Sequence, residues 1–384
     1  MRLSIRVSAM TDLPRIETRA EMRGRSLWND ALARLSGNRL AKFSGIWLMI
    51  MALVCVLGPM LLPHDFSTIY KDYTRIPPSI SPYPKTEAVG PVIDVAVRRA
   101  RLVIESWERD GERITIHVRS DTPIDPRVTR YFERSDLFTE VKLTQFAADA
   151  MSATLIATID QNWFLFGTDS NGRDLLARTL VAGRVSLSIG LLAGLVAVVI
   201  GVLYGATAGF VGGRVDELMM RLVDILYSLP FIFMVIMLMV FFGRNFVLMF
   251  VAVGAILWLD MARIVRGQTL SIRRQEFVQA AEALGVRHGA IILRHVVPNV
   301  LGPVAVYMTL LVPQVIILES FLSFLGMGVQ EPMASWGVLI ANGAKNIGSA
   351  NWLLLLPAAF LISTLSALNF LGDGLRDALD PKDR

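Results

Sequence analysis

The chain has 384 residues, of which 53% are hydrophobic and 18% charged, and its mean hydropathy is +0.51. These values lie above the range of soluble globular proteins, so we expect a protein embedded in lipid. A single cysteine, Cys55, excludes an intrachain disulfide framework and a thiolate metal cluster. The basic residues behind the net charge of +5 lie beside apolar segments, which favours membrane-topology signals over nucleic-acid binding.

The sequence also lacks the usual patterns for catalysis. Its histidines are scattered without the spacing of a metal site: His64, His117, His288 and His295. It contains no GxxxxGK[ST] phosphate-binding loop, so any ATP would be bound by another chain. We therefore expect no catalytic, metal-binding or cofactor-binding residue in this chain.

Six apolar stretches are long enough to span a membrane, since about 30 Å of hydrocarbon takes roughly 20 residues of α-helix. They predict an all-α polytopic membrane protein with six transmembrane helices, at 44–62, 185–209, 226–243, 246–264, 299–322 and 352–371. Only Gly243, Arg244 and Asn245 separate the third stretch from the fourth, which predicts a tight hairpin.

Charge asymmetry predicts the orientation of these spans. The first 42 residues carry nine Lys/Arg and four Asp/Glu, and the loop 264–297 carries five arginines and two glutamates. Short basic segments stay in the cytoplasm, so the N-terminus is expected there, and six spans return the C-terminus to the same side. The resulting division is a basic cytoplasmic segment (1–43), a first span (44–62), an extracytoplasmic insertion (63–165), a core with five spans (166–371) and a cytoplasmic tail (372–384).

The insertion is predicted to be a small α+β module. Alternating apolar and polar residues at 101–108 and 112–120 predict two strands, and Asp110-Gly111 between them predicts a hairpin turn with positive φ at both positions. Two further strands are expected at 138–146 and 152–160, with a short helix near 126–133. The proline-rich stretch 76–85 predicts an irregular connector.

The second span contains small residues at intervals of four, which allow helix backbones to approach closely. They are Ser186, Gly190, Gly194, Gly201, Gly205 and Gly209. Just before this span, residues 169–172 predict a turn, and Asp174 with Arg178 predicts an i,i+4 ion pair at the helix start.

The cytoplasmic loop 276–300 predicts a helix, a break at Gly285, a second amphipathic turn, and a new span that starts at Pro298. Such a knob on a membrane protein is suited to docking with a soluble partner. An ordinary basic loop remains the alternative.

This loop resembles the EAA loop of the ABC importer permeases, in which E-A-A is followed by three residues, a glycine and, thirteen residues later, a proline. The matching positions are Gln279, in place of the glutamate, Ala280, Ala281, Gly285, His295 and Pro298. Further segments at 166–190, 212–230, 319–337 and 372–381 are similar to motifs of the oligopeptide, dipeptide and nickel branch.

The resemblance implies the fold of an ABC type I importer permease in the bacterial inner membrane. It further implies a second homologous permease, two cytoplasmic ATPase subunits that bind ATP and Mg, and a periplasmic peptide-binding protein. The loop at 276–300 would then couple ATP hydrolysis to the membrane helices. Glu319 and Pro313 are candidates for the pathway or gate, although Glu319 serves equally well as a residue that pairs two helices.

The sequence thus predicts a permease subunit that moves oligopeptides or dipeptides and catalyses no reaction of its own. A nickel permease of the same branch and a secondary transporter or channel remain alternatives. The insertion is expected to contact the binding protein or to cover the outer gate.

Overall fold

The computed structural model describes residues 33–144, 150–243 and 246–379. Four predictions therefore fall partly outside the described residues. These are the basic segment 1–43 as far as residue 32, the strand 138–146 from residue 145, the hairpin at Arg244 and Asn245, and the tail from residue 380 onward.

Helices dominate the chain. The first is α1 (Arg39–Leu61), and α2 (Thr86–Arg99) and α3 (Thr129–Glu133) accompany the strands. The rest are α4 (Leu175–Val211), α5 (Gly213–Ser228), α6 (Phe231–Phe242), α7 (Phe246–Ile272), α8 (Glu276–Ala283), α9 (His288–Ile291), α10 (Val297–Phe324), α11 (Trp336–Ala344) and α12 (Trp352–Leu379).

Within the described ranges, four helical stretches are long and apolar enough to cross a membrane. They are Arg39–Leu61, Leu175–Val211, His288–Phe324, which runs from α9 into α10, and Trp352–Leu379. The pair formed by α5 and α6 would make a fifth span if the two helices cross together. The predicted count of six remains a prediction.

The third predicted span, 226–243, is not one continuous helix, since the chain breaks at Leu229 and Pro230. Helices α5 and α6 meet at an angle of 86°. Leu229 is extended, with φ −76° and ψ 138°, and Pro230 follows it. Proline disfavours a helical conformation in the preceding residue and supplies no N–H, so the helix ends at Ser228.

Helix α4 is the central element and packs against α1, α7, α10, α11 and α12. Its small residues face two different partners. A Cβ on Gly190 would lie 3.0 Å from the side chains of Val312 and Ile316 in α10, whereas one on Gly201 would lie 2.6 Å from Met261 in α7. The predicted close approach of helix backbones is therefore present, and it is divided between α10 and α7.

Four strands form an antiparallel sheet between α1 and α4. They are β1 (Val103–Asp110), β2 (Arg113–Arg119), β3 (Phe138–Thr144) and β4 (Ser152–Ile159), in the spatial order β1-β2-β4-β3. One face of β2 is buried at Ile114, Ile116 and Val118 against α2 and α3. Over the described residues, the strands begin and end within two residues of their predicted bounds, and the short helix lies at its predicted position.

Helix α2 has no counterpart in the sequence prediction. Gly90 and Pro91 inside it argue against a helix, because both disfavour helix interiors. The buried residues Val89, Ile93, Ala96 and Val97 nevertheless have the spacing of an amphipathic helix. Packing of this face against the sheet outweighs the local preference.

The turn between β1 and β2 differs from its prediction by one residue. Asp110 pairs with Arg113 in the ladder, so the two-residue loop is Gly111-Glu112 and not Asp110-Gly111. Only Gly111 has a positive φ, of 60°. Glycine in the first loop position is the usual choice for a turn that requires positive φ there.

Candidate functional site

The predicted coupling loop begins with α8, which ends in a glycine cap. Gly285 has a φ of +74° and donates its N–H to the Glu282 carbonyl at 3.0 Å, while Val286 donates to the Ala281 carbonyl at 3.1 Å. These two bonds form a Schellman motif, in which a left-handed residue satisfies the last carbonyls of a helix. The predicted break at Gly285 is thus a specific backbone structure.

The second half of the loop is more continuous than predicted. Pro298 lies in the first turn of α10, as predicted, but no break precedes it: helix begins at His288 and continues through a π-helical turn, Ile292–Val296, into α10. Val297 donates to the Ile292 carbonyl in this turn, and Asn299 Nδ2 donates to the His295 carbonyl at 2.6 Å. A widened turn accommodates the proline without a break.

One face of the loop is anchored in the helix bundle. Val278 and Ala281 of α8 are buried with Ile291, Ile292 and Val296 in one apolar cluster. The same cluster contains Val202, Ala206 and Phe210 of α4 and Met261 and Val265 of α7. The loop is therefore packed directly against the central helix α4.

The opposite face of the loop is exposed and partly apolar. Leu284 is 83% exposed, and Phe277 and Val286 are exposed beside it. Among the predicted positions, Gln279, Ala280, Gly285 and Pro298 are exposed, Ala281 is buried, and His295 is half-buried with its ring 6.3 Å from that of Phe277. The sequence analysis missed Phe277, although it adjoins the recognised motif.

Two ion pairs join helix α5 to helix α7. Arg266 donates to both oxygens of Asp216 at 2.6 Å, and Arg263 donates to Asp224 at 2.7 Å while its guanidinium lies 4.3 Å from the ring centre of Tyr227. The sequence analysis assigned these residues no role. Asp216 and Asp224 lie in the segment 212–230, so the motif that contains them was the available signal.

A polar network surrounds the start of α4. The turn predicted at 169–172 is present, with the Gly172 N–H bonded to the Asp169 carbonyl. Arg173 donates from Nε to Asp169 and from Nη2 to Glu331, both at 2.8 Å. The hydrogen bond from Arg173 lowers the pKa of Glu331, so that this acid remains ionised.

The predicted ion pair between Asp174 and Arg178 is wrong. Asp174 is the N-cap of α4 and accepts from the Leu176 and Ala177 N–H groups, while its second oxygen lies 3.0 Å from His64 Nδ1. Arg178 Nε approaches Asp169 instead, at 3.4 Å. Capping satisfies two helix N–H groups at once, which an ion pair with Arg178 does not do.

His64 connects the sheet region to α4. Its Nε2 lies 3.0 Å from Asn162 Oδ1, and its ring stacks on Phe164 at 4.7 Å. Burial lowers the pKa of His64, but the hydrogen bonds to Asp174 and Asn162 outweigh this effect and raise it above the ordinary value. The charged ring can donate to both oxygens.

We expect the stability contributed by His64 to fall as the pH rises. Because the pKa of His64 is raised in the folded protein, its contribution is complete below about pH 6.5, the ordinary histidine value, and is lost as the pH passes the folded value. Thermal unfolding of the wild type and of His64→Gln between pH 6 and pH 9 tests this. Their difference in Tm should shrink toward high pH, and a constant difference would contradict the assignment.

Glu319 is fully buried inside the bundle. One of its oxygens accepts from Ser323 at 2.6 Å and from Ser335, the N-cap of α11, at 2.5 Å. This placement supports the helix-pairing alternative, since the carboxyl group joins α10 to α11. Pro313 is also buried, in the middle of α10.

Long apolar helices carry an anchored loop with an exposed apolar face, which is the arrangement that the sequence predicts for a membrane-embedded subunit. Residues 197–384 match the family described as the binding-protein-dependent transport system inner membrane component. Residues 26–78 match the N-terminal transmembrane domain of oligopeptide transport permease C, which extends the resemblance to the first span. The chain belongs to this family of inner-membrane transport components, as the sequence predicts.

Individual relatives agree with this assignment. The chain is 57% identical to the oligopeptide transport system permease protein OppC of Escherichia coli K12 over 244 residues, which cover 63% of this chain and 81% of that protein. It is 60% identical to OppC of Salmonella typhimurium over 219 residues, or 57% and 72% of the two chains. It is 49% identical to the dipeptide transport system permease protein DppC of Bacillus subtilis over 220 residues, or 57% and 69%.

Proposed function

We propose that this chain is a permease subunit of an ATP-driven importer of oligopeptides or dipeptides. It would pair with a second, homologous permease and with two ATPase subunits that bind ATP and Mg. A periplasmic binding protein would deliver the peptide. Peptide is favoured over nickel because the relatives described above are named for peptide transport.

The proposal rests on the loop at 276–300, which has one face buried in the helix bundle and one exposed apolar face. Its exposed apolar residues suit docking to a soluble subunit, since such patches mark interaction sites. Its buried residues lie in one cluster with α4, α7 and α10. Closure of the ATPase subunits would push on α8, and the cluster would carry that displacement to the helices around the transport path.

We further propose six spans, with α7 crossing the membrane and α5 and α6 together forming one broken span. Both termini then lie in the cytoplasm, and the sheet with α2 and α3 forms an α+β module on the outside. This module would contact the binding protein or cover the outer gate.

Co-expression with its neighbouring transport subunits tests the function. The affinity-tagged chain should co-purify with a homologous permease and two ATPase subunits. Proteoliposomes of this complex should take up labelled tripeptide only with ATP and a loaded binding protein. Peptide uptake without any ATPase subunit would favour a secondary transporter, and uptake of nickel but not peptide would favour the nickel alternative.

Replacing Leu284 by aspartate should weaken the association with the ATPase subunits. Leu284 is 83% exposed, so the change is expected to leave the folded chain intact, whereas a charge in an apolar contact costs on the order of 2 kcal/mol or more. Ile80→Asp is a matched control, since Ile80 is 89% exposed in the connector next to the sheet. Quantitative co-purification measures the effect, and equal recovery of ATPase with both variants would contradict the docking role.

A further inference from the structure

A cavity of about 210 Å³ lies where the start of α4 meets α11 and the start of α12. Its wall includes Asp169, Arg173, Arg178, Glu331, Asn342 and Lys345. Lys345 is exposed and the Glu331 side chain is 54% exposed, so the cavity has a rim open to solvent. This cavity is separate from the loop 276–300 and has no place in the coupling described above.

Arg178 is the unusual residue in this wall. It is 1% exposed, and none of its three guanidinium nitrogens has a hydrogen-bond partner among the described residues. An arginine carries five N–H donors and stays charged, so a buried one without hydrogen bonds is costly. Its closest charged neighbour is Asp169 Oδ2, 3.4 Å from Nε.

Asp169 approaches Arg178 only at Nε and makes no hydrogen bond to Nη1 or Nη2. Oδ1 accepts from the N–H groups of Asn171 and Arg173, and Oδ2 accepts from Arg173 Nε at 2.8 Å. The remaining acid, Glu331, is bonded to Arg173 at 2.8 Å. The Nη1 and Nη2 donors of Arg178 therefore remain available for an acceptor from outside the chain.

The charges indicate what that acceptor is. The charged residues of the cavity wall are Arg173, Arg178 and Lys345 against Asp169 and Glu331, which leaves one uncompensated positive charge. One negative charge restores neutrality, while a dianion would meet repulsion from Asp169 and Glu331. A carboxylate fits the paired donors of a guanidinium with two parallel hydrogen bonds, the strongest arrangement available to arginine.

We propose that this cavity binds a carboxylate on Arg178, with Lys345 at its entrance attracting the anion. The carboxylate comes either from a small organic acid or from the C-terminus of a peptide. Both sources present the same group to Arg178, and an experiment can separate them. This proposal does not depend on the coupling role of the loop 276–300.

The test uses the full-length chain, purified in lipid nanodiscs. Sodium acetate should raise Tm relative to sodium chloride at equal ionic strength, and acetamide, a neutral analogue, should not. Saturation-transfer NMR on acetate gives a second readout that does not depend on stability. Arg178→Gln should remove both signals. Arg178→Lys, which keeps the charge but not the paired donors, should raise the half-maximal acetate concentration by at least about tenfold.

Arg184→Gln is the matched control, because Arg184 lies on the same helix and donates to the Val56 carbonyl outside the cavity. It should keep the acetate response. Tri-alanine and its C-terminal amide separate the two sources. If tri-alanine raises Tm at a lower concentration than the amide, the carboxylate belongs to a peptide terminus. If the two act equally while acetate has a clear effect, it belongs to a small acid. No difference between acetate and chloride, a stronger effect of phosphate, or an unchanged response in Arg178→Gln would overturn the proposal.

Discussion

Replacing Gly285 by proline is expected to abolish coupling while leaving the membrane helices in place. Gly285 has a φ of +74°, and the proline ring fixes φ near −65°. Proline also removes the N–H that donates to the Glu282 carbonyl. Both hydrogen bonds of the Schellman motif depend on this geometry, so the exposed face of α8 would lose its orientation relative to α9.

Peptide uptake in proteoliposomes should fall by at least about tenfold, since a free-energy cost of about 1.4 kcal/mol corresponds to a tenfold change. ATP hydrolysis by the complex should persist without its dependence on the loaded binding protein. Gly285→Ala should have an intermediate effect, because a left-handed conformation costs an L-residue about 1–2 kcal/mol.

Gly289 provides a matched control four residues further along. It is also exposed, and a Cβ there, as at Gly285, would meet no atom within 4 Å. Gly289 differs because it lies in helix α9 without a positive φ. Gly289→Ala should therefore retain full uptake. Normal uptake by Gly285→Pro, or an equal loss in both alanine variants, would show that the backbone geometry of Gly285 has no part in coupling.

The sequence predicts those parts of the structure that local interactions decide. The break at Gly285 follows from the preference of glycine for positive φ, and the strands follow from alternating burial. The π-helical turn before Pro298 was not predicted. Its geometry depends on how α9 and α10 pack together against α4, and no local pattern encodes that packing.

The network at the start of α4 shows more clearly where local sequence patterns fail to predict side-chain partners. Asp174 and Arg178 have the spacing of a helical ion pair, yet Asp174 caps the helix and contacts His64, 110 residues earlier in the chain. Arg173 likewise bonds Glu331, which is 158 residues away. Partners at such separations are brought together by the fold as a whole, and each competes successfully with the local pair.

Replacing Gly205 by valine is expected to separate α4 from α7 and to inactivate the complex. A Cβ at Gly205 would overlap the Ala262 carbonyl oxygen and lie 3.0 Å from the Arg266 nitrogen. Both atoms belong to the backbone of α7, so no side chain can rotate away, and the helices themselves must move apart. Overpacking of this kind costs about 1–3 kcal/mol, and the larger valine side chain should place the effect at the upper end.

The displacement caused by Gly205→Val should extend to the loop at 276–300. Val202 and Ala206 lie beside Gly205 on α4 and belong to the cluster that anchors Val278 and Ala281. A displaced α7 would also shift Arg266, which holds α5 through Asp216. We therefore expect a lower Tm and a loss of ATP-driven uptake, with a smaller loss of both for Gly205→Ala.

Gly267→Val is the control on α7 itself, since a Cβ at Gly267 would meet no atom within 4 Å. Both variants place a β-branched residue in a helix, so the modest loss of helix propensity is common to the two. The difference between their Tm values isolates the contact between α4 and α7. If the two variants unfold at the same temperature and transport equally, the close approach of these helices does not limit stability or transport.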